Sequence, residues 1–287
     1  MRIIDNNYRF STCPFCESKD LLKIGKLKYA KNLHLSTVSI QLTEQPELWT
    51  CNVCQSSFTQ NTIPAAIAEE LYSTSKGAQR WGHESFEKDK TDAVINYFKN
   101  NESLKNKRLL DVGCNTGQFL DFAKKNGVQP YGFEICVDSF TVVKNKGYTA
   151  FRSAADISGK FDVITLFDTL EHLYDPKGFL KFVNGLLNSG GLLIILTGDP
   201  MSAAARSAKQ RWWYCNYPEH VVFPSPDYFQ HHLVGYTMKE FISTYASKTH
   251  ETFRPSFLQK LKAFIGGFRR NQYDGKPDHQ FVVLVKK

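Results

Sequence analysis

The sequence predicts an α/β fold with a mostly parallel sheet, preceded by a small metal-binding module. Three observations lead to this prediction. The apolar segment 109–112 runs into a glycine-rich turn and a helical pattern, a second apolar segment follows at 130–135, and two Cys-x-x-Cys pairs lie in the N-terminal part. Strand, tight turn and helix in succession are typical of parallel sheets, which bind ligands at the carboxyl ends of their strands.

The glycine-rich turn has the pattern Asp-x-Gly-x-Asn-x-Gly. Gly113 and Gly117 allow the main chain to turn sharply and to approach a ligand, and we expect Asn115 to tolerate an unusual backbone angle nearly as well. The acid at the strand end, Asp111, disfavours a pyrophosphate, so the turn favours an adenosine-bearing sulfonium over a dinucleotide. Glu134, at the end of the next strand, has the position that hydrogen-bonds ribose hydroxyls in α/β nucleotide folds.

Together these segments resemble the class I S-adenosylmethionine-dependent methyltransferases, which have a Rossmann-like seven-stranded sheet with an antiparallel C-terminal strand. The segments 161–173 and 189–197 look like that family's fourth strand with its loop and its fifth strand, and 281–285 looks like its terminal strand. The resemblance covers roughly residues 85–240 and this last strand, and it implies S-adenosyl-L-methionine as the cofactor. An ordinary βα turn, or a nucleotide fold that has lost its ligand, is the alternative.

The resemblance implies a set of cofactor-binding residues in the turn, at the ribose, at the adenine amine and after the fourth strand. They are Asp111, Gly113, Cys114, Asn115, Gly117, Phe119, Glu134, Ile135, Asp156, Phe167 and Asp168.

The two cysteine pairs predict a zinc-ribbon-like module over residues 1–62. Cys13 with Cys16, and Cys51 with Cys54, supply four thiolates for a tetrahedral structural zinc. The alternating segment 33–40 is a credible strand of a hairpin between the pairs. Redox pairs or unpaired core thiols are the alternatives. We expect the three isolated cysteines to be buried structural residues: Cys114, Cys136 and Cys215.

A helical connector is predicted over 63–105, before a methyltransferase domain over 106–287. One helix begins at Ile63-Pro64, because proline favours the first helical turn, and a second spans roughly 84–100. Tyr72, Trp81 and His83 either contact a ligand or simply pack.

The segment 199–226 follows the fifth strand and is predicted to be the acceptor-binding loop, since its aromatic content argues against disorder. Trp212 and Tyr217 are candidate substrate contacts, and Arg211 could clamp a phosphate. The motifs Arg-Trp-Trp-Tyr and Pro-Glu-His resemble those of bacterial methyltransferases of polysaccharide and sugar biosynthesis. That resemblance implies a sugar hydroxyl, or a group on a sugar-like small molecule, as the acceptor.

Removal of a proton from such a hydroxyl needs a general base. His172, after the fourth strand, and His220, in the acceptor loop, are the candidates, because imidazole titrates near working pH. Glu219 lies next to His220 and could orient it. Each histidine could instead have a packing role.

The composition is that of a globular protein, with 42% hydrophobic and 22% charged residues among 287. The first residues lack the apolar core of a signal peptide, and no apolar run reaches the roughly 18 residues of a membrane span. We therefore expect a cytoplasmic protein. The formal net charge of +8 attracts an anionic acceptor, or only reflects solvated faces. The segment 257–268 is predicted to be a basic amphipathic helix that contacts an anionic membrane or packs on its own sheet.

The leading hypothesis is a methyltransferase that acts on an oxygen of a small anionic sugar or glycan precursor. The first alternative is a tRNA methyltransferase whose basic zinc ribbon binds nucleic acid, although the ribbon lacks the interleaved aromatic and basic residues on which single strands stack. The second alternative is a non-catalytic cofactor-binding module.

Overall fold

A computed structural model describes residues 2–27, 33–81, 85–253 and 275–287. The N-terminal part of the chain forms two small sheets. Its strands are β1 (Arg2–Ile4), β2 (Leu21–Lys26), β3 (Leu33–Leu35), β4 (Val38–Leu42), β5 (Glu47–Cys51) and β6 (Ser57–Gln60). One sheet has the order β1-β4-β3, and in the other β6 pairs with β5 and β5 with β2.

The segment predicted as one alternating strand between the cysteine pairs is instead the hairpin of β3 and β4. Ser36 has a positive φ of 52°, and a reversal at Ser36 and Thr37 pairs Leu33 with Ile40. The prediction of a single strand over 33–40 is therefore wrong, because the chain turns in its middle.

Short helices connect this part to the large sheet. They are α1 (Ala65–Thr74), α2 (Gly77–Trp81), α3 (Phe86–Asp89) and α4 (Asp92–Asn100). Pro64 immediately precedes α1, as predicted. The predicted helix over 84–100 is broken, because Lys90 and Thr91 adopt extended backbone angles. His83 and the side chain of Trp81 lie outside the described residues, as does the predicted helix 257–268.

The remaining chain builds the large sheet and its flanking helices. Its elements are β7 (Arg108–Val112), α5 (Gln118–Lys125), β8 (Gln129–Phe133), α6 (Val137–Asn145), β9 (Ala150–Phe151), β10 (Phe161–Phe167), α7 (Pro176–Leu186), β11 (Leu187–Gly198), α8 (Ala203–Ala208), β12 (Val222–Phe223), β13 (Tyr236–Thr244), α9 (Lys248–Thr252) and β14 (His279–Lys286). Short 3₁₀ turns lie at Glu102–Leu104, Ala154–Asp156, Leu170–His172 and Lys209–Arg211, and a π-helical turn at Tyr228–His232.

The large sheet has the order β13-β14-β11-β10-β7-β8-β9. The five strands from β11 to β9 are parallel, whereas β14 is antiparallel to both of its neighbours. The predicted seven-stranded, mostly parallel sheet with an antiparallel C-terminal strand is confirmed.

The core lies where these strands are buried on both faces. Leu110 and Ile164, on the central strands, are fully inaccessible to solvent, which explains why these strands read as continuous apolar runs. In the described part of the chain, every helix is too short or too polar to span a bilayer.

Candidate active site

The glycine-rich turn joins β7 to α5 at the carboxyl edge of the sheet. Gly113 and Gly117 have φ of 74° and 81°, and Asn115 has φ of 46°, so the expectation that Asn115 takes an unusual angle is confirmed. A Cβ at Gly113 would lie 2.7 Å from Oγ1 of Thr169. Glycine is needed there because both the angle and the close approach exclude a side chain.

Two buried carboxyl groups lie under this turn. Asp111 accepts a hydrogen bond of 2.6 Å from Oγ1 of Thr165, and burial raises the pKa of Asp111 to about 7. Glu134 accepts from the main-chain N–H groups of Asn115 at 2.9 Å and Cys136 at 2.8 Å. Burial also raises the pKa of Glu134. A carboxylate has about four acceptor positions, so Glu134 keeps capacity for ribose hydroxyls.

The loop after β10 contains an ion pair that sequence analysis missed. Asp168, with φ of 49°, accepts a hydrogen bond from Nζ of Lys90. Although burial acts in the opposite direction, Lys90 lowers the pKa of Asp168. Lys90 reaches this loop because the helix around it is interrupted. The ammonium and the carboxylate are complementary to the amino-acid end of the predicted cofactor.

Several side chains that were predicted to bind the cofactor are buried in the core. Phe119 and Phe167 belong to an aromatic core, with ring centroids 4.9 Å apart, and Cys114 is buried against Gly132. These three side chains support the turn from within, which corrects the prediction of direct contact by the two phenylalanines. Ile135 is half-buried, and Asp156 is exposed in a 3₁₀ turn; their roles stay predictions.

The aromatic residues of the acceptor loop are mostly buried. Trp212 is 3% exposed and donates from Nε1 to Asp278, while Tyr217 is 1% exposed and accepts from the N–H of Ile63. The interpretation of these two side chains as substrate contacts is corrected, since they form the packing beneath the loop. Arg211 is half-buried at the end of a 3₁₀ turn, and its phosphate-binding role stays a prediction.

His172 and His220 come together, with ring centroids 4.9 Å apart. Nδ1 of His172 lies 2.7 Å from the carbonyl oxygen of Glu219, and Nδ1 of His220 lies 2.8 Å from that of Tyr214. A carbonyl oxygen only accepts, so each Nδ1 carries a hydrogen, and in a neutral ring the lone pair is then on Nε2. Among the described residues, neither Nε2 has a hydrogen-bond partner.

Burial lowers the pKa of His220 to about 3, so its ring is neutral at neutral pH. The carboxylate of Glu219 does not bond this ring. It accepts from the N–H of Ser36 at 3.2 Å and from Asn216 at 3.0 Å, and lies 3.7 Å from Arg80. The expectation that the Glu219 carboxylate orients His220 is therefore corrected: that carboxylate anchors the loop.

Two further networks surround this pair. Glu171, fully buried, accepts from Thr197 and Tyr214, and its carboxylate lies within 4.8 Å of ring nitrogens of both histidines. Tyr72 hydrogen-bonds His172 and the Glu219 carbonyl, which places it at the acceptor side.

Sequence analysis also missed Asp278 and His279, at the start of β14. Both are fully buried, and Nδ1 of His279 donates to Asp278 at 2.8 Å. Asp278 also accepts from the indole N–H groups of Trp212 and Trp213. No signal in the sequence marks this pair, because its partners are about 65 positions away in the chain.

The four N-terminal cysteines form one cluster. Sγ of Cys13 lies 3.6 Å from that of Cys54, and Sγ of Cys16 lies 3.5 Å from that of Cys51. These distances exceed a disulfide bond and are close to the edge of about 3.8 Å that a tetrahedral zinc with bonds of about 2.3 Å requires. The hydrogen bond from Cys13 lowers the pKa of the Cys54 thiol. The donor set therefore fits zinc.

Comparison with known proteins agrees with the sheet and the turn. Residues 82–236, more than half of the chain, match a family described as "Methyltransferase domain". The ubiquinone biosynthesis O-methyltransferase of Pseudomonas aeruginosa is 26% identical over 114 residues, which are 36% of this chain and 49% of that protein. The Coxiella burnetii enzyme of the same name is 28% identical over 143 residues, 45% of this chain and 61% of that protein. The chain thus spans about half the length of the curated relatives that it matches.

Among solved structures, coclaurine N-methyltransferase bound to N-methylheliamine and S-adenosylhomocysteine superposes with a TM-score of 0.51 at 11% identity. The match covers 78% of this chain and 82% of that one. At such low identity this similarity shows the fold alone.

Proposed function

Because the chain belongs to the methyltransferase-domain family, we propose that it is an S-adenosylmethionine-dependent methyltransferase acting on an oxygen of a small, anionic sugar or glycan precursor. The choice of oxygen rests on one observation. The Nε2 atoms of His172 and His220 lack hydrogen-bond partners among the described residues, and burial lowers the pKa of His220 to about 3, so Nε2 of His220 can receive a hydroxyl proton. The name of the curated relatives, O-methyltransferases, supports the same atom.

The reaction is an in-line displacement in which the acceptor oxygen bonds to the methyl carbon and the sulfonium sulfur leaves with the bonding electron pair. The O–H proton then passes to Nε2 of His220. A weakly basic imidazole suffices, because an oxygen that has received the methyl group holds its proton weakly. The low pKa of His220 keeps the ring unprotonated and ready to accept.

An anionic acceptor is supported by positive charge. Arg80 lies beside Glu219 with 46% of its side chain exposed, and the chain as a whole has a net charge of +8. Such a field raises the local concentration of anions.

The experiment is incubation of the protein and cofactor with a panel of nucleotide sugars, catechols and tRNA, followed by mass spectrometry. We expect a nucleotide sugar or sugar phosphate to gain the mass of one CH₂ group. Because the methyl group should replace a hydroxyl hydrogen, the product should have one free hydroxyl fewer than the substrate. Methylation of tRNA alone would replace the proposal with the nucleic-acid alternative. Tight cofactor binding with no product from any class would favour the non-catalytic alternative.

We also propose that Cys13, Cys16, Cys51 and Cys54 hold a structural zinc within a module over residues 1–62, followed by the connector 63–105 and the methyltransferase domain 106–287. The arrangement of both pairs supports this: each is followed by a residue of positive φ, Glu17 or Gln55, whose N–H donates to the first cysteine of its pair. Metal analysis of freshly purified protein should give one zinc per chain. A value well below one would refute the assignment.

A further inference from the structure

The segment 217–225, which we call the His220 segment, is held along its length by the N-terminal module and by Ile63, the residue that directly follows the module. At its start, Tyr217 accepts from the N–H of Ile63 at 3.0 Å. Two residues on, the carboxylate of Glu219 accepts from the N–H of Ser36 at the tip of the β3–β4 hairpin. Both partners precede the methyltransferase sheet by many residues, so these contacts are tertiary and not part of the local loop.

The second half of the His220 segment is a strand of the module's own sheet. The strand β12 pairs antiparallel with β6, Val222 opposite Phe58 and Phe223 opposite Ser57, which completes the order β12-β6-β5-β2. The N–H of Thr59 donates to the carbonyl oxygen of Val221 at 2.8 Å. Phe58, Val222 and Phe223 are fully buried, so this added strand is sealed from water.

The end of the segment contacts a cysteine of the cluster directly. The hydroxyl of Ser225 donates to the carbonyl oxygen of Cys54 and accepts from the N–H of Tyr228. The N–H of Ser225 donates to Oγ of Ser56, two residues after Cys54, at 3.1 Å. One hydroxyl therefore joins the second cysteine pair to the strand that follows His220.

The methyltransferase domain holds the same segment from the other side. The N–H of Val221 donates to the carbonyl oxygen of Glu171 at 2.8 Å, whereas its own carbonyl is bound by Thr59. Nδ1 of His172 bonds the carbonyl of Glu219. His220 thus lies between Val221, whose main chain bonds both the module and the loop after β10, and Glu219, whose carbonyl bonds His172 and whose carboxylate bonds the module.

We propose that the cysteine module is a positioning element of the active site: a metal bound by its four thiolates fixes β6, which fixes the His220 segment and so the base, without contributing to the cofactor site. This inference rests on the proposed zinc and on the proposed role of His220. The cofactor turn, by contrast, is fixed by its own glycines and by Glu134.

Hydrogen–deuterium exchange of the full chain, with and without its metal, tests this coupling and needs no acceptor. After chelation of the metal under reducing conditions, we expect the amides of Thr59 and Ser225 to exchange roughly tenfold faster, and those of 109–112 to change less than about twofold. The dissociation constant for S-adenosylhomocysteine, measured by calorimetry, should also stay within about twofold.

A spectroscopic measurement distinguishes an effect on the position of the His220 ring from a general effect on the stability of the fold. In protein labelled with ¹⁵N-histidine, the ring signals of His220 are identified by their loss in His220→Asn. They should shift on metal removal, whereas those of the exposed His231 should not. Unchanged exchange at Thr59 and Ser225, or a uniform rise that includes 109–112, would overturn the proposal.

A substitution makes the same test with the metal in place. Ser225→Ala removes the hydroxyl bound to Cys54. Ser18→Ala is its matched control, because within the described ranges Oγ of Ser18 accepts only from Asp20, beside the first cysteine pair. We expect Ser225→Ala alone to shift the His220 signals and to raise exchange in the His220 segment, with full zinc content in both variants. Equal behaviour of the two variants would refute the link. Because none of these readouts requires turnover, failure of the methyl-transfer proposal would leave them intact.

Discussion

The cofactor side and the acceptor side of the cleft are held in place in different ways. On the cofactor side, Glu134 bonds main-chain groups 19 and two positions away, and the glycine turn is a single continuous segment. On the acceptor side, Glu219 and Ser225 bond partners 183 and 171 positions away. The first site should therefore tolerate local damage to the second, and a good experiment perturbs one side while it measures both.

The largest expected effect is a loss of turnover caused by a change on the acceptor side alone. His220→Asn keeps a donor for the Tyr214 carbonyl but removes the Nε2 lone pair, so we expect kcat to fall about a thousandfold. Affinity for S-adenosylhomocysteine should not change. Turnover is measured on the acceptor found by mass spectrometry, and His231→Asn, at an exposed position, is the control. A loss below tenfold would exclude His220 as the base.

The converse change breaks the cofactor side. Glu134→Ala removes a buried carboxylate that we propose binds the two ribose hydroxyls of the cofactor, and charged hydrogen bonds contribute about 1.5–3 kcal/mol each. We expect the dissociation constant for S-adenosylhomocysteine to rise about a hundredfold in calorimetry, with the exchange of the His220 segment unchanged. Glu102→Ala removes a carboxylate that is 76% exposed and should have no effect. Equal affinity in both variants would remove Glu134 from the cofactor site.

These two sites also differ in how far the sequence alone predicts them. The turn from Asp111 to Gly117 is contiguous, so its strand, glycines and helix start are visible in one short stretch of sequence. Lys90 was missed because its partner Asp168 lies 78 positions away and because it occupies a break that apolar periodicity does not show. A helix predicted from periodicity alone passes straight through that position.

On the acceptor side, residue type identified His172 and His220, but their surroundings could not be predicted. The tautomer of each ring depends on a carbonyl placed by the tertiary fold. The burial of Tyr217 accompanies its contact with Ile63, 154 positions away. The strand β12, with two residues, is too short for any periodic signal. Aromatic residues in a loop therefore suggested substrate contact where the structure has packing.

A smaller effect concerns the pH dependence of the cofactor side. Because the pKa of Asp111 is raised to about 7 in the folded chain, the folded state binds more protons than the unfolded state between about pH 4 and 7. Protonation of Asp111 therefore stabilises the folded wild type fully at low pH, and this stabilisation is lost as the pH rises. Asp111→Asn has no such proton to lose, so its free energy of unfolding relative to wild type should increase by about 2 kcal/mol from pH 5 to 7.

Urea unfolding at several pH values measures this difference. Asp121→Asn, at a half-exposed carboxylate, should follow the wild-type curve. A constant difference between Asp111→Asn and wild type over this range would show that Asp111 is ionised throughout.

The smallest expected effect concerns Arg80 and the charge of the acceptor. Arg80 is 46% exposed and lies 3.7 Å from Glu219, so Arg80→Ala should change the free energy of unfolding by less than about 1 kcal/mol. Arg2→Ala, which breaks the exposed ion pair with Glu70, is the matched control. If the acceptor is anionic, Arg80→Ala should raise its KM about threefold to tenfold, an effect that weakens with added salt, and leave kcat unchanged. An unchanged KM at low salt would refute the proposal that the acceptor is anionic, and it would leave the proposed role of His220 as the base untouched.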